Sequence, residues 1–125
     1  MNEEFDILEL IMTLIEEELN IPCYFMFCEE DLVEPYVIFK INNEKETGLF
    51  DNENICERFS LEITLWYTQP RDTLLYKKIK KKLVENNFKF VGSYDLLDET
   101  SNKTAETVRY FGKLMDFTYT HFIRE

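Results

Sequence analysis

One histidine, one tryptophan, three cysteines, three prolines and three glycines occur in 125 residues. Basic residues are also scarce, 14 against 25 acidic ones. Each shortage closes off a class of function. A metal centre or a nucleophile–base pair needs several converging ligands with orienting partners, and a lone His121 supplies neither. His121 therefore reads as a structural residue near the end of the last strand. Cys23, Cys28 and Cys56 are odd in number and form no CxxC pair, which argues against a disulfide framework. Cys23 and Cys28 bracket an apolar run and read as small buried hydrophobes. Gly48, Gly92 and Gly112 stand alone and belong to no phosphate-cradling loop. Gly112, in the middle of an extended segment, points to a bulge or a close backbone approach.

The net charge of −11 repels nucleic acid phosphates and anionic membranes. No apolar run is long enough to cross a bilayer. The amino terminus is acidic at Glu3-Glu4 where a secretory signal would be basic. The expectation is a chain made and kept in a reducing cytoplasm. The acidic groups Glu29-Glu30-Asp31 and Asp95, Asp98, Glu99 lack the spacing of a calcium loop and read as solvated turns. No cofactor or metal is expected, and no enzyme motif is found.

Hydrophobic residues make up 45% of the chain and aromatics 15%. That is enough for one core, and the length suits one domain spanning 1–125. The strongest pattern is residues 59–67. Phe59, Leu61, Ile63, Leu65 and Tyr67 fall on one side of an extended segment, and Ser60, Glu62, Thr64 and Trp66 on the other. It is expected to be the central strand against which two helices pack. The first helix is expected over 2–20, with Asn2 as cap and a stripe of Phe5, Leu8, Met12, Ile15 and Leu19, widened by Ile7, Ile11 and Leu14. Core packing is favoured over a coiled-coil seam, because the stripe covers little more than two heptads. The second helix starts at Pro70 and Asp72 and ends at Asn86-Asn87, with Leu75, Tyr76, Ile79 and Leu83 inward.

Residues 23–28 and 36–41 read as two strands forming a hairpin. Residues 42–55 read as a loop, in which Leu49 and Phe50 either dock on a neighbour or tuck onto the chain's own core. Residues 88–97 and 108–123 read as a long hairpin whose polar loop, 98–107, projects beyond the body. The order α-β-β-β-α-β-β gives an α+β fold: a mainly antiparallel sheet of about five strands with both helices on one face.

Two features resist a bland reading. Lys77, Lys78, Lys80, Lys81 and Lys82 form a basic patch on an acidic chain. A solvated helix face is the leading reading, and contact with the acidic surface of another subunit comes next. Nucleic acid binding is disfavoured, since no aromatics interleave the patch. Trp66 breaks the polar side of its strand. It serves either an interface or a cover supplied by the second helix or the 42–55 loop. The candidate interface residues are thus Leu49, Phe50, Trp66, Lys77, Lys78, Lys81, Asp98 and Glu99.

The whole arrangement carries a resemblance. An amphipathic first helix leads into a hairpin entered through Glu34-Pro35-Tyr36-Val37. The strand 59–67, a helix after Gln69-Pro70, the segment 88–98 and the ending Tyr110…Met115-Asp116-Phe117-Thr118-Tyr119 follow. This resembles the tail terminator, or tail-completion, proteins of long-tailed bacteriophages and prophages. The likeness rests on element order and size over nearly the whole chain. It implies a non-enzymatic protein that forms a hexameric ring, caps the tail tube and meets the head connector. It further implies residence in the cytoplasm during assembly and then in the virion; the net charge of −11 would be compatible with a negatively charged lumen through which DNA passes. Two other readings stand beside it: another head–tail connector or tail-assembly component, and a small monomeric module that binds a host protein.

Overall fold

The computed structural model describes residues 5–26, 35–48, 55–101 and 107–123. Its elements are helix α1 (Ile7–Met12), strands β1 (Cys23–Phe25), β2 (Tyr36–Gly48) and β3 (Ile55–Tyr67), helix α2 (Leu75–Glu85), and strands β4 (Lys89–Ser101) and β5 (Thr107–Ile123). The five strands form one sheet in the order β1-β2-β3-β5-β4. The α+β class follows, and β3 is the middle strand as its alternation predicts. Phe59, Leu61, Ile63, Leu65 and Tyr67 are all buried. They join Val37, Phe39, Met115 and Phe117 from the neighbouring strands and Ile11, Ile15, Ile79 and Leu83 from the helical segments in one core. Each such side chain contributes about 1.5–3 kcal/mol through burial. Both helices therefore lie on the odd-numbered side of β3.

Several sequence expectations are corrected. β1 runs parallel to β2, with Cys23 opposite Val37 and Phe25 opposite Phe39, so residues 23–28 and 36–41 are not a hairpin. β1 also stops at Phe25. Met26 takes φ 71, the left-handed region, and donates its N–H to the Phe39 carbonyl at 2.8 Å. The apolar run in the sequence continues to Cys28, and residues 27–34 lie outside the described residues.

Residues 42–48 are strand, not loop. Asn43 to Gly48 pair with Ser60 to Ile55 after a bulge at Asn42. Their sequence carries no apolar alternation, and Asn42 to Glu46 are all exposed. In the same way Asp98 to Ser101 belong to β4 and pair with Tyr110 to Thr107. That hairpin runs past the end of β3 at Tyr67, as expected, but its paired part is longer. The alternation of 88–97 also slips once, at a bulge between Phe90 and Gly92.

In the first helical segment the face is rotated from the expected stripe. Ile7, Ile11, Leu14 and Ile15 are buried, whereas Leu8 and Met12 are only partly so. Two overlapping apolar stripes cover this segment, and only the sheet chooses between them. Asp6 caps it by accepting from the Leu8 and Glu9 N–H groups at 2.9 and 3.3 Å; Asn2, the expected cap, lies outside the described residues. After Met12 the chain widens into a π-helical turn, Thr13–Glu17, and Asn20 ends it at φ 60.

A 3₁₀ turn, Pro70–Leu74, leads into α2. Asn87, at φ 74, ends α2 with two backbone bonds, Phe88 N–H to Leu83 C=O at 3.0 Å and Asn87 N–H to Val84 C=O at 3.2 Å. This is the Schellman pattern, with Phe88 and Leu83 supplying its apolar contact in the core. Beside α2, Lys113 donates to Asp95 at 2.7 Å and sits 4.6 Å from the Tyr76 ring centroid. The hydrogen bond to Asp95 holds its ammonium above the ordinary lysine range.

Candidate functional site

The even-numbered side of β3 has no helix over it among the described residues. Register sorts this open face into rows that run across the strands. One row is Leu96, Gly112, Trp66 and Tyr36; the next is Tyr94, Leu114, Thr64 and Ile38. Both rows are mainly apolar. Leu114 is 7% exposed on this uncovered face, so its own neighbours enclose it. Trp66 lies against Gly112, and a Cβ built there would meet Trp66 Cζ3 at 2.9 Å and Leu96 Cβ at 3.2 Å. The close approach expected of Gly112 is thus to an indole ring. Trp66 sits on the opposite side of the sheet from α2, which removes the second helix as its cover.

The third row is acidic. Glu62 lies opposite Asp116, and like charges in that position repel. Lys40 reaches Glu62 at 3.7 Å, and Asn42 donates its side-chain N–H to Glu62 Oε2 at 2.7 Å. Asp116 has no cation partner among the described residues. Burial first, and then the charge of Glu62, push its carboxyl above the usual aspartate range. On the far side of Asp116 stands Gly92, where a Cβ would meet nothing within 4 Å. The acidic row therefore has an unfilled notch beside it. Past this row the face turns polar and basic. Arg58, Lys89, Val91, Thr118, Thr120 and Phe122 line a shallow depression of about 700 Å³. Val91 and Phe122 are 61% and 67% exposed there.

The lysines predicted as a contact lie on the other layer. Lys77, Lys78 and Lys81 face outward from α2. Lys81 approaches Glu85 only at 4.0 Å, with both side chains more than half exposed. Lys80 instead covers the Phe90 ring at 4.0 Å, and Lys82 bonds Glu18 at 3.0 Å. Leu74 and Val84, exposed at the two ends of this helical surface, frame the lysines. Asp98 and Glu99 sit in β4 by backbone pairing. Leu49 and Phe50 lie outside the described residues. Trp66 and the lysines are therefore not one site but two surfaces, on opposite layers.

Sequence reasoning missed Glu62 with Asp116, and missed the band around Leu114. Neither carries a motif. Both arise when strands distant in sequence are brought into register.

Other chemistry-bearing groups are scattered. Among the described residues no three His, Cys, Asp or Glu side chains converge to hold a metal ion. Cys23 is buried, and burial pushes its thiol up to about 12, away from the range of a nucleophile. His121 stacks on Phe5 with ring centroids 4.1 Å apart, in line with its structural reading. No helix among the described residues is long and apolar enough to cross a membrane. No protein-family model and no curated protein matches this chain.

Proposed function

We propose that this chain is a structural assembly protein of a long-tailed bacteriophage or prophage. In this reading it is a tail terminator: it forms a six-membered ring, caps the finished tail tube and offers the head connector a surface. The observation that supports assembly is the open face of the sheet. A sheet normally buries its apolar side chains under another layer. Here Ile38, Trp66, Leu96, Leu114 and Tyr94 form a band that no described element covers. Contiguous apolar surface rimmed by charge is characteristic of a docking site. The tail-terminator assignment itself rests on the resemblance, and the order α-β-β-β-α-β-β is the arrangement that carries it.

Native mass spectrometry of the purified chain tests the reading. A six-subunit species is expected at tens of micromolar, and a monomer at that concentration would sink it. In virion assembly, loss of the protein should leave tail tubes over-long and heads unjoined.

A further inference from the structure

The basic half of the open face is assembled by two bulges. Arg58 of β3 has Lys45 of β2 on one side and Thr120 of β5 on the other, and Lys89 of β4 lies opposite Thr118. Side chains alternate between faces along a strand, so one extra residue reverses the alternation beyond it. In β2 the bulge at Asn42 places Lys45, and not Glu44, opposite Arg58. In β4 the bulge at Val91 places Lys89 on the open face and leaves Phe90 packed against the core. Each bulge thus delivers a lysine to the side that Arg58 occupies. For the chain alone this is unfavourable, because like charges directly opposed on neighbouring strands repel. Lys45, Arg58 and Lys89 have no ion pair among the described residues. Lys40, the next cation on this face, is taken by Glu62. Glu44, Glu46 and Glu57 belong by register to the other side of the sheet. On a chain of net charge −11, three cations gathered without an anion call for one from outside.

We propose that this end of the open face binds a small phosphomonoester, with its phosphate over Thr118 and Thr120 and between Arg58 and Lys89. The inference goes beyond the assembly reading and does not depend on it. Neighbouring strands lie about 4.8 Å apart, so Arg58 on β3 and Lys89 on β4 flank β5 closely from its two sides. Thr118 and Thr120 are two residues apart on one face, about 7 Å, and present hydroxyl donors between the cations. A phosphomonoester at pH 7 carries a charge of about −1.5 to −2 and three acceptor oxygens. That matches two cations, one of them a guanidinium fork, and two hydroxyls. A carboxylate, with one charge and two oxygens, would leave one cation unmatched. The depression of about 700 Å³ is of ligand size. Phe122 and Val91, both exposed in it, offer apolar surface to the body that carries the phosphate. Two features keep the ligand small. Glu62 and Asp116 close the site on the side of the band around Trp66, and the net negative charge of the chain repels a polyanion.

Titration calorimetry of the full chain with phenyl phosphate tests the site. A Kd of about 1 mM or below is expected. Inorganic phosphate lacks the apolar body and phenyl sulfate lacks the second charge, so each should bind at least about tenfold more weakly. Arg58→Gln and Lys89→Gln should each weaken phenyl phosphate at least about tenfold, the usual loss when a hydrogen bond to a charged group is removed. Lys77→Gln, on the opposite layer, should leave the Kd unchanged. All three positions are exposed, and circular dichroism checks that each variant is folded. In the unmutated protein, amide NMR shifts on adding phenyl phosphate should concentrate at residues 89–92 and 118–122. The inference is overturned by the absence of binding at about 10 mM ligand, by phenyl sulfate binding as tightly, by an unchanged Kd in folded Arg58→Gln or Lys89→Gln, or by shifts centred elsewhere. A single-stranded oligonucleotide binding more tightly than phenyl phosphate would also overturn it, in favour of a polyanion.

Discussion

Gly112→Ala is the most direct probe of the open face. The added methyl would stand 2.9 Å from Trp66 Cζ3, 3.1 Å from Cε3 and 3.2 Å from Leu96 Cβ. All three lie inside van der Waals contact, so the indole must lift or β4 must move out. Forcing a methyl into a packed site costs about 1–3 kcal/mol. Against this, alanine within a strand recovers about 0.5–1 kcal/mol of the backbone entropy that glycine loses. The net expectation is a loss of about 1 kcal/mol. Trp66→Ala removes the main obstacle, and in that background Gly112→Ala should be neutral or slightly stabilising. The two changes should thus be coupled by about 1–2 kcal/mol, well outside the additivity of independent sites. Urea unfolding followed by circular dichroism measures all four corners of the cycle. Trp66 is the only tryptophan, so its emission should also shift to the red in Gly112→Ala. If the two costs add within about 0.5 kcal/mol, or the emission does not move, Trp66 does not lie on Gly112.

Two further expectations follow from the titrating groups. The Asp116 carboxyl lies above its ordinary range, so the folded state holds this proton more tightly than the unfolded chain does. The stabilisation is fully present below the ordinary aspartate pKa and is lost as pH rises through the raised value. Asp116→Asn should therefore melt higher than its parent at pH 7 and level with it near pH 3. An equal difference at both pH values would refute it. Cys23, held up to about 12 by burial, should resist iodoacetamide at pH 8 in the folded protein and react on unfolding; peptide mass spectrometry identifies the site, and modification at the rate of an exposed thiol would contradict its burial.

Strong periodicity was legible wherever a segment has one wet face and one buried face. Residues 59–67 alternate because β3 has helices on one side and, among the described residues, none on the other, and 75–83 repeat at helical spacing because α2 lies on that same core. Legibility failed where this contrast is missing. Residues 42–48 and 98–101 are polar in sequence, and backbone pairing with β3 and β5 makes them strand. In the first helix two apolar stripes overlap, and Ile7, Ile11 and Leu14 are buried ahead of Leu8 and Met12 because the sheet lies on their side.

The sequence by itself determined the α+β class, the middle strand, the site of α2 and the surplus of lysine on its surface. These depend on neighbours within a few residues, where spacing along the chain is spacing in space. The tertiary structure alone decided that β1 runs parallel to β2, that Trp66 lies on Gly112, and that Glu62 faces Asp116. Each depends on strand register between segments some ten to fifty residues apart. A shift of one residue would turn every side chain of a strand to the other face. The open face is therefore a property of register, and no single stretch of the chain records it.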